Sequence, residues 1–219
     1  MAVGSTRGIR LGLRSSGLTM TAAEFDAVPL SACDRRYRYQ LIRGVLVVTP
    51  PAGPGEVDPN DYLGYMLLTY KENDPRGLVL DMSLYEQTIF ALDNRRRCDR
   101  AIWIGLGRVP DVEKDIPAIV VEFVSRSRRD YRRDYEEKLV EYLAIGVREY
   151  WIIDRFRRIM TIHRNHADGS PPIVIGEADT YRTDLLPGFD LPLARLLARA
   201  DHWPASRHRL RKPPGGDAH

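Results

Sequence analysis

Glu122 and Lys138 are the residues of this 219-residue chain whose types and spacing best fit acid–base or metal-assisted chemistry. Glu122 lies in Ile116-Pro-Ala-Ile-Val-Val-Glu-Phe-Val-Ser125, a run so apolar that it reads as a strand buried on both faces. A carboxylate there must be paired, protonated or metal-bound. Lys138 follows sixteen residues later, in a segment that reads as a helix over 132–146. Tyr135, Lys138, Leu139 and Tyr142 recur at i, i+3, i+4 and i+7, so they form one inward stripe that aims the amine at the sheet carrying Glu122. Only four of the 33 basic residues are Lys (Lys71, Lys114, Lys138 and Lys212), so the default cation here is Arg. A buried Lys shifts its pKa readily, whereas Arg stays charged. An inward Lys is then a functional amine, the partner in a buried structural pair with Glu122, or a stem snorkelling over apolar surface.

Asp99 joins this pair. It lies in Arg95-Arg-Arg-Cys-Asp-Arg-Ala-Ile-Trp-Ile104, on a strand expected to neighbour the Glu122 strand. Two carboxylates on adjacent strands can hold one Mg2+, or Mn2+ in its place, with water and phosphate oxygens completing the shell. Such a metal polarises a phosphate and acidifies a bound water, and a nearby ammonium orients that water or neutralises developing charge. That set is sufficient for phosphodiester hydrolysis. The alternative for Asp99 is a surface pair with an adjacent arginine. Arg97, Arg100, Arg126, Arg128 and Arg129 flank the acids in sequence and could seat a nucleic-acid backbone. Interleaved with Asp130, Asp134, Glu136 and Glu137, the later ones also read as a solvated charged face.

The elements that must position these residues form a mixed α/β sheet with few helices. Thr21-Ala-Ala-Glu24 is a capping box that opens a first helix. Segments 37–42 and 45–49 read as a hairpin around Arg43-Gly44. Asp58 and Pro59 suit the N-cap and first position of a helix to about residue 73. Two or three strands are expected over 78–82, 84–90 and 97–104, with a turn at 91–94. The strand over 117–124, the Lys138 helix ended by Gly146, and a strand over 149–154 make a right-handed βαβ unit with parallel strands. A turn at 155–158, a strand over 159–163 and a short helix over 193–199 complete the domain, assigned to 20–200. Residues 1–19 carry Arg7, Arg10 and Arg14 without an acid and read as a flexible basic tail, with Met20 an alternative start; 201–219 read as a disordered basic tail.

From Tyr-Gln-Leu-Ile-Arg-Gly44 through Asp99, Ile-Val-Val-Glu122-Phe-Val-Ser, Arg-Asp-Tyr-Glu-Glu-Lys138-Leu-Val-Glu-Tyr and Gly-Val-Arg-Glu-Tyr-Trp-Ile-Ile-Asp154, the chain resembles the restriction-endonuclease family often called Uma-two. That family sits in the PD-(D/E)XK nuclease superfamily, and the resemblance spans about residues 20–196. It implies a restriction-endonuclease-like core, Asp99 and Glu122 as metal ligands, and Lys138 as catalytic lysine. The superfamily lysine of the strand has moved to the helix, since Val124 stands two places after Glu122. The implied function is a Mg2+-dependent endonuclease on nucleic acid, DNA above all, working as a homodimer when two strands are cut. Gln40 stands where the family commonly carries Glu, Cys98 where it carries Pro, and Ser125-Arg-Ser127 where it has Ser-Pro-Ser. Gln40 can be an accessory residue but brings no charge. These departures motivate the alternative, a catalytically impaired nucleic-acid-binding or interaction module.

Composition narrows the remainder. With 43% hydrophobic and 29% charged residues the chain can build one sizeable core. Its net charge of +3 permits a nucleic-acid partner without requiring one. Cys33 and Cys98 form no CxxC, which argues against a zinc site or disulfide framework and for a reduced, cytoplasmic setting. No apolar run reaches the ~20 residues of a membrane span. None of the five histidines accompanies a nucleophile in a triad pattern, and Gly105-Leu-Gly107 lacks the context of a phosphate loop.

Overall fold

The computed structural model describes residues 10–125, 133–165 and 169–203, with side chains at 133 and 134 excepted. After a short helix α1 (Ala22–Asp26), capped by Thr21 as its sequence requires, the chain builds two sheets that meet at the site. Strands β1 (Arg38–Ile42) and β2 (Val45–Thr49) form the expected hairpin. Its two-residue turn places Arg43 and Gly44 at φ 51° and 73°, the handedness that matches strand twist. With β4 (Thr88–Ala91) and β5 (Asn94–Arg97) they make a four-stranded sheet in the order β2-β1-β5-β4. The larger sheet holds β3 (Leu80–Tyr85), β6 (Arg100–Ile104), β7 (Ile119–Phe123), β8 (Glu149–Asp154), β9 (Ile159–Arg164) and β10 (Ile173–Gly176). Its order is β10-β9-β8-β7-β6-β3. β7 and β8 pair in parallel, and the segment between them contains α3 (Lys138–Ala144), as the βαβ reading requires. A two-stranded ribbon, β11 (Thr180–Tyr181) and β12 (Leu191–Pro192), leads into α4 (Leu193–Asp201).

Alternation along the larger sheet divides the core into two layers. Ile119, Val121, Trp151 and Ile162 pack toward Leu63 and Leu67 of α2 (Pro54–Asn73) and toward Leu193, Leu196 and Leu197 of α4. Trp103, Val120, Tyr150 and Ile152 pack toward Tyr142 of α3. Tyr142, Tyr150 and Trp151 are fully buried, which makes them core rather than stacking platforms.

Two expectations are corrected. The segment 78–104 makes four short strands, because the chain leaves the larger sheet after Tyr85 and returns to it at Arg100. The crossing is made by Glu86 at φ 52°, whose N–H donates to the Asp99 carbonyl at 2.8 Å, while Cys98 N–H donates to Gln87 O at 2.9 Å. Helix α2 begins at Pro54 with Gly53 as N-cap, and Pro59 lies inside it. A proline there cannot donate to the carbonyl of Gly55. Arg155 Nη1 donates to that oxygen instead, at 3.3 Å, and to Ala200 O at 3.1 Å. Gly55 leaves room for it, since a Cβ would lie 1.9 Å from the guanidinium. Asp58, freed from capping, accepts from Arg199 and from Trp203 Nε1, each at 2.8 Å.

Residues 10–19 pack on the hairpin and do not form a tail. Leu11 is buried with Leu46 and Val48. Gly17 N–H donates to Leu46 O at 2.8 Å, and Leu46 N–H to Leu18 O at 2.7 Å. Residues 1–9 and 204–219 of the two expected tails lie outside the described residues. A chain begun at Met20 is expected to lose about 2–3 kcal/mol, chiefly the burial of Leu11. Urea unfolding of the two lengths measures this, and equal midpoints would contradict it.

Glu149 is a second buried carboxylate on an apolar strand. It accepts from Trp151 Nε1 at 2.8 Å, Tyr181 Oη at 3.0 Å and Thr183 Oγ1 at 2.7 Å. Burial and the Glu149 charge push the Tyr181 phenol up to about 12. Its folded value is thus above its unfolded one, so the contribution is complete below about pH 10 and lost as pH rises toward 12. Wild type is expected to lose stability over this window more steeply than Tyr181→Phe in paired chemical denaturation.

Candidate active site

Antiparallel register brings the two acids together. Arg100 pairs with Val121 and Ala101 with Val120, so the next step of the ladder sets Asp99 across from Glu122. Asp99 is half-buried, and its Oδ2 accepts the Phe123 N–H at 2.6 Å, which ties it to β7. Glu122 is 3% exposed and Lys138 2%. Lys138 Nζ lies 2.8 Å from Glu122 Oε1 and donates to Arg97 O at 2.9 Å. Tyr142 Oη lies 3.4 Å from the same Glu122 oxygen. The inward stripe read from the sequence therefore delivers the amine to the carboxylate.

Three devices hold Lys138 in place. A π-helical turn over Arg133–Glu137 precedes α3, an irregularity frequent at functional sites. Arg96 of β5, fully buried, grips Glu141 with two nitrogens at 2.6 Å each and reaches Glu137 at 3.3 Å, so it holds the helix on both sides of Lys138 in sequence. Gln40, buried in β1, accepts the Arg97 N–H at 3.0 Å through Oε1. It fixes the residue whose carbonyl receives Lys138, so its part is support for β5.

A cleft of about 440 Å³ opens beside Asp99, lined also by Arg38, Glu56, Asn60, Asp61 and Glu86. Glu122 does not line it. Of the expected phosphate contacts, Arg100 is corrected: it is buried, donating to Asn60 Oδ1 at 2.7 Å, Asn60 O at 2.8 Å and Ser83 Oγ at 3.0 Å. Gly64 makes room for it, since a Cβ would meet the guanidinium at 2.7 Å. Asn60 Nδ2 in turn donates to Asp99 O at 2.9 Å, so Arg100 and Asn60 brace the backbone of the acid. Arg97 stays partly exposed and pairs with Glu86 at 3.3 Å. Arg126, Arg128 and Arg129 lie outside the described residues.

Sequence reasoning missed Arg38, Glu56, Asn60 and Glu86, which come from β1, α2 and the β3–β4 crossing and are brought together only by the fold. Among the described residues no group of three or more His, Cys, Asp or Glu gathers as for a metal ion. The donor set offered by Asp99 and Glu122 is all carboxylate, which suits a hard ion such as Mg2+ that keeps several waters. Cys98 beside them is buried, and burial pushes its thiol well up, so it stays protonated and does not compete. Among the described residues no helix is long and apolar enough to cross a membrane.

The profile of the Uma2 family, described as "Putative restriction endonuclease", matches residues 22–194. No protein of curated function matches. Among solved structures, one from Anabaena variabilis ATCC 29413, titled a "putative nuclease belonging to DUF820", superposes with a TM-score of 0.67 at 13% identity, over 83% of this chain and 99% of that one.

Proposed function

The chain belongs to the Uma2 family of restriction-endonuclease type, and from that premise we propose that it is a Mg2+-dependent endonuclease hydrolysing phosphodiester bonds in nucleic acid, with DNA as the first substrate to test. The observation that carries this reading is the placement of Asp99 across from Glu122 with the Lys138 amine 2.8 Å from the latter. Asp99 and Glu122 would hold the metal. When bound, Mg2+, or Mn2+ in its place, would polarise the scissile phosphate and acidify a coordinated water. The Lys138 amine, 2.8 Å from Glu122, would orient the attacking water and offset charge developing on the phosphate. Asp99 stays fixed against β7 through the Phe123 N–H, so little reorganisation is needed when substrate arrives. Pairing of two copies would let both strands of a duplex be cut, and light scattering tests for that dimer. The free thiols Cys33 and Cys98 support a cytoplasmic setting.

A second reading, a nucleic-acid-binding module without turnover, is favoured by the burial of Glu122 and its absence from the cleft wall. Supercoiled plasmid, single-stranded DNA and RNA incubated with Mg2+, with EDTA and with Glu122→Gln protein separate the two. Cutting that needs the metal and vanishes in the variant is the expected result. Binding without cutting in wild type would select the module, and cutting undiminished in the variant would expose a contaminant.

A further inference from the structure

The cleft carries a second feature that the acid pair does not use. Arg38, from β1, and Arg97, at the end of β5, both grip the Glu86 carboxylate, Arg38 at Oε1 and Arg97 at Oε2. The arrangement sits against Asp99: Glu86 N–H bonds the Asp99 carbonyl, and Arg38, Glu86 and Asp99 line the same cleft. We infer that Arg38, on the cleft wall, and Arg97, held beside it by Glu86, form the seat for a phosphodiester next to Asp99. The inference deepens the nuclease reading and rests on it for the identity of the molecule that owns the phosphate.

Three observations support the seat. Two guanidiniums share one carboxylate, so each spends one nitrogen on Glu86 out of five N–H donors. Arg97 Nε is buried and, among the described residues, has no hydrogen-bond partner. Glu86 holds them from φ 52°, a backbone region unfavourable to a side chain of its size, and such strain gathers where position matters. Arginine is also the cation whose planar fork matches phosphate oxygens. The acids Glu56 and Asp61 on the same cleft make the arginines necessary, since a phosphate there would otherwise face only like charge.

The test has two arms. Dimethyl phosphate, a phosphodiester without base or sugar, is titrated into wild type while arginine Nε–H resonances are followed by NMR, with Arg38→Lys supplying the assignment. Saturable shifts at Arg38 and Arg97, absent at the exposed Arg36, support the seat whatever the cleavage assays show. Absence of saturable shifts at both overturns it, even in a protein that cuts nucleic acid. In the second arm a labelled oligonucleotide is bound across salt with Ca2+ in place of Mg2+. Arg38→Met is expected to weaken binding about tenfold and to reduce the salt slope by about 1, the share of one phosphate contact, with Arg38→Lys keeping the slope. An unchanged slope in a folded Arg38→Met protein overturns the proposal. A wild type that binds no oligonucleotide refutes the nuclease reading alone, and the dimethyl phosphate titration then decides the seat.

Discussion

Lys138→Met is expected to lower the stability of the folded chain by about 3–5 kcal/mol, and Glu122→Gln in the same protein to restore most of it. The reason is where the pair lies. Both side chains are almost wholly withdrawn from solvent, and Val120, Ile152 and Cys98 share their layer of the core. Without Lys138 the Glu122 carboxylate loses the ammonium 2.8 Å from its Oε1, the opposite charge that offsets its own burial. The Tyr142 hydroxyl, 3.4 Å from the same oxygen, is neutral and does not replace that charge. Neutralising both partners removes the orphaned charge, so the two substitutions should couple by at least about 2 kcal/mol. Guanidinium unfolding of wild type, the two single variants and the double variant measures the coupling. A Lys138→Met protein within about 1 kcal/mol of wild type would show that water reaches Glu122 and that the burial seen here does not describe the protein in solution. A large cost would not argue against chemistry. It would mean that the same contact that secures the fold also sets the amine for use.

The part of the site legible in the sequence is the part made by local periodicity. The 116–125 run is apolar enough to define a doubly covered strand, and the 3.6-residue stripe in 135–142 aims Lys138 inward, so β7, α3 and β8 follow without tertiary information. Where long-range contacts decide, the reading failed. Helix α2 extends through Pro59 because Arg155, a hundred residues on, supplies the missing donor. The break between β3 and β4 depends on Glu86 taking up a left-handed backbone, which no residue type at 86 announces. Arg100 looked like a phosphate contact because arginines cluster near Asp99, but its burial is set by Asn60 and by the absence of a side chain at Gly64. The ribbon β11–β12 is too short to show a pattern. One signal was present and unused: Glu149 opens the apolar run 149–154 and has the same character as Glu122, a carboxylate that needs partners inside the core.

Asp99→Asn should separate chemistry from folding in a way Lys138→Met cannot. The structural duties of residue 99 survive the change. Its carbonyl still receives Glu86 N–H and Asn60 Nδ2, and an amide oxygen can still accept the Phe123 N–H. Stability is therefore expected to move by less than about 1 kcal/mol. What disappears is the negative charge opposite Glu122, and with it half of the proposed carboxylate donor set. Metal-assisted stabilisation is worth several kcal/mol, and each 1.36 kcal/mol is a factor of ten, so Mg2+-dependent cleavage should fall by about 10²–10⁴-fold. Saturable Mg2+ uptake in calorimetry should vanish with it. If Asp99→Asn cuts at the wild-type rate, the metal is held elsewhere in the cleft, whose wall also carries the carboxylates of Glu56, Asp61 and Glu86. The contrast is the discriminating part. A stable, inactive Asp99→Asn beside an unstable Lys138→Met would make one acid a dedicated ligand and the ion pair behind it both scaffold and instrument, an assignment neither variant can give alone.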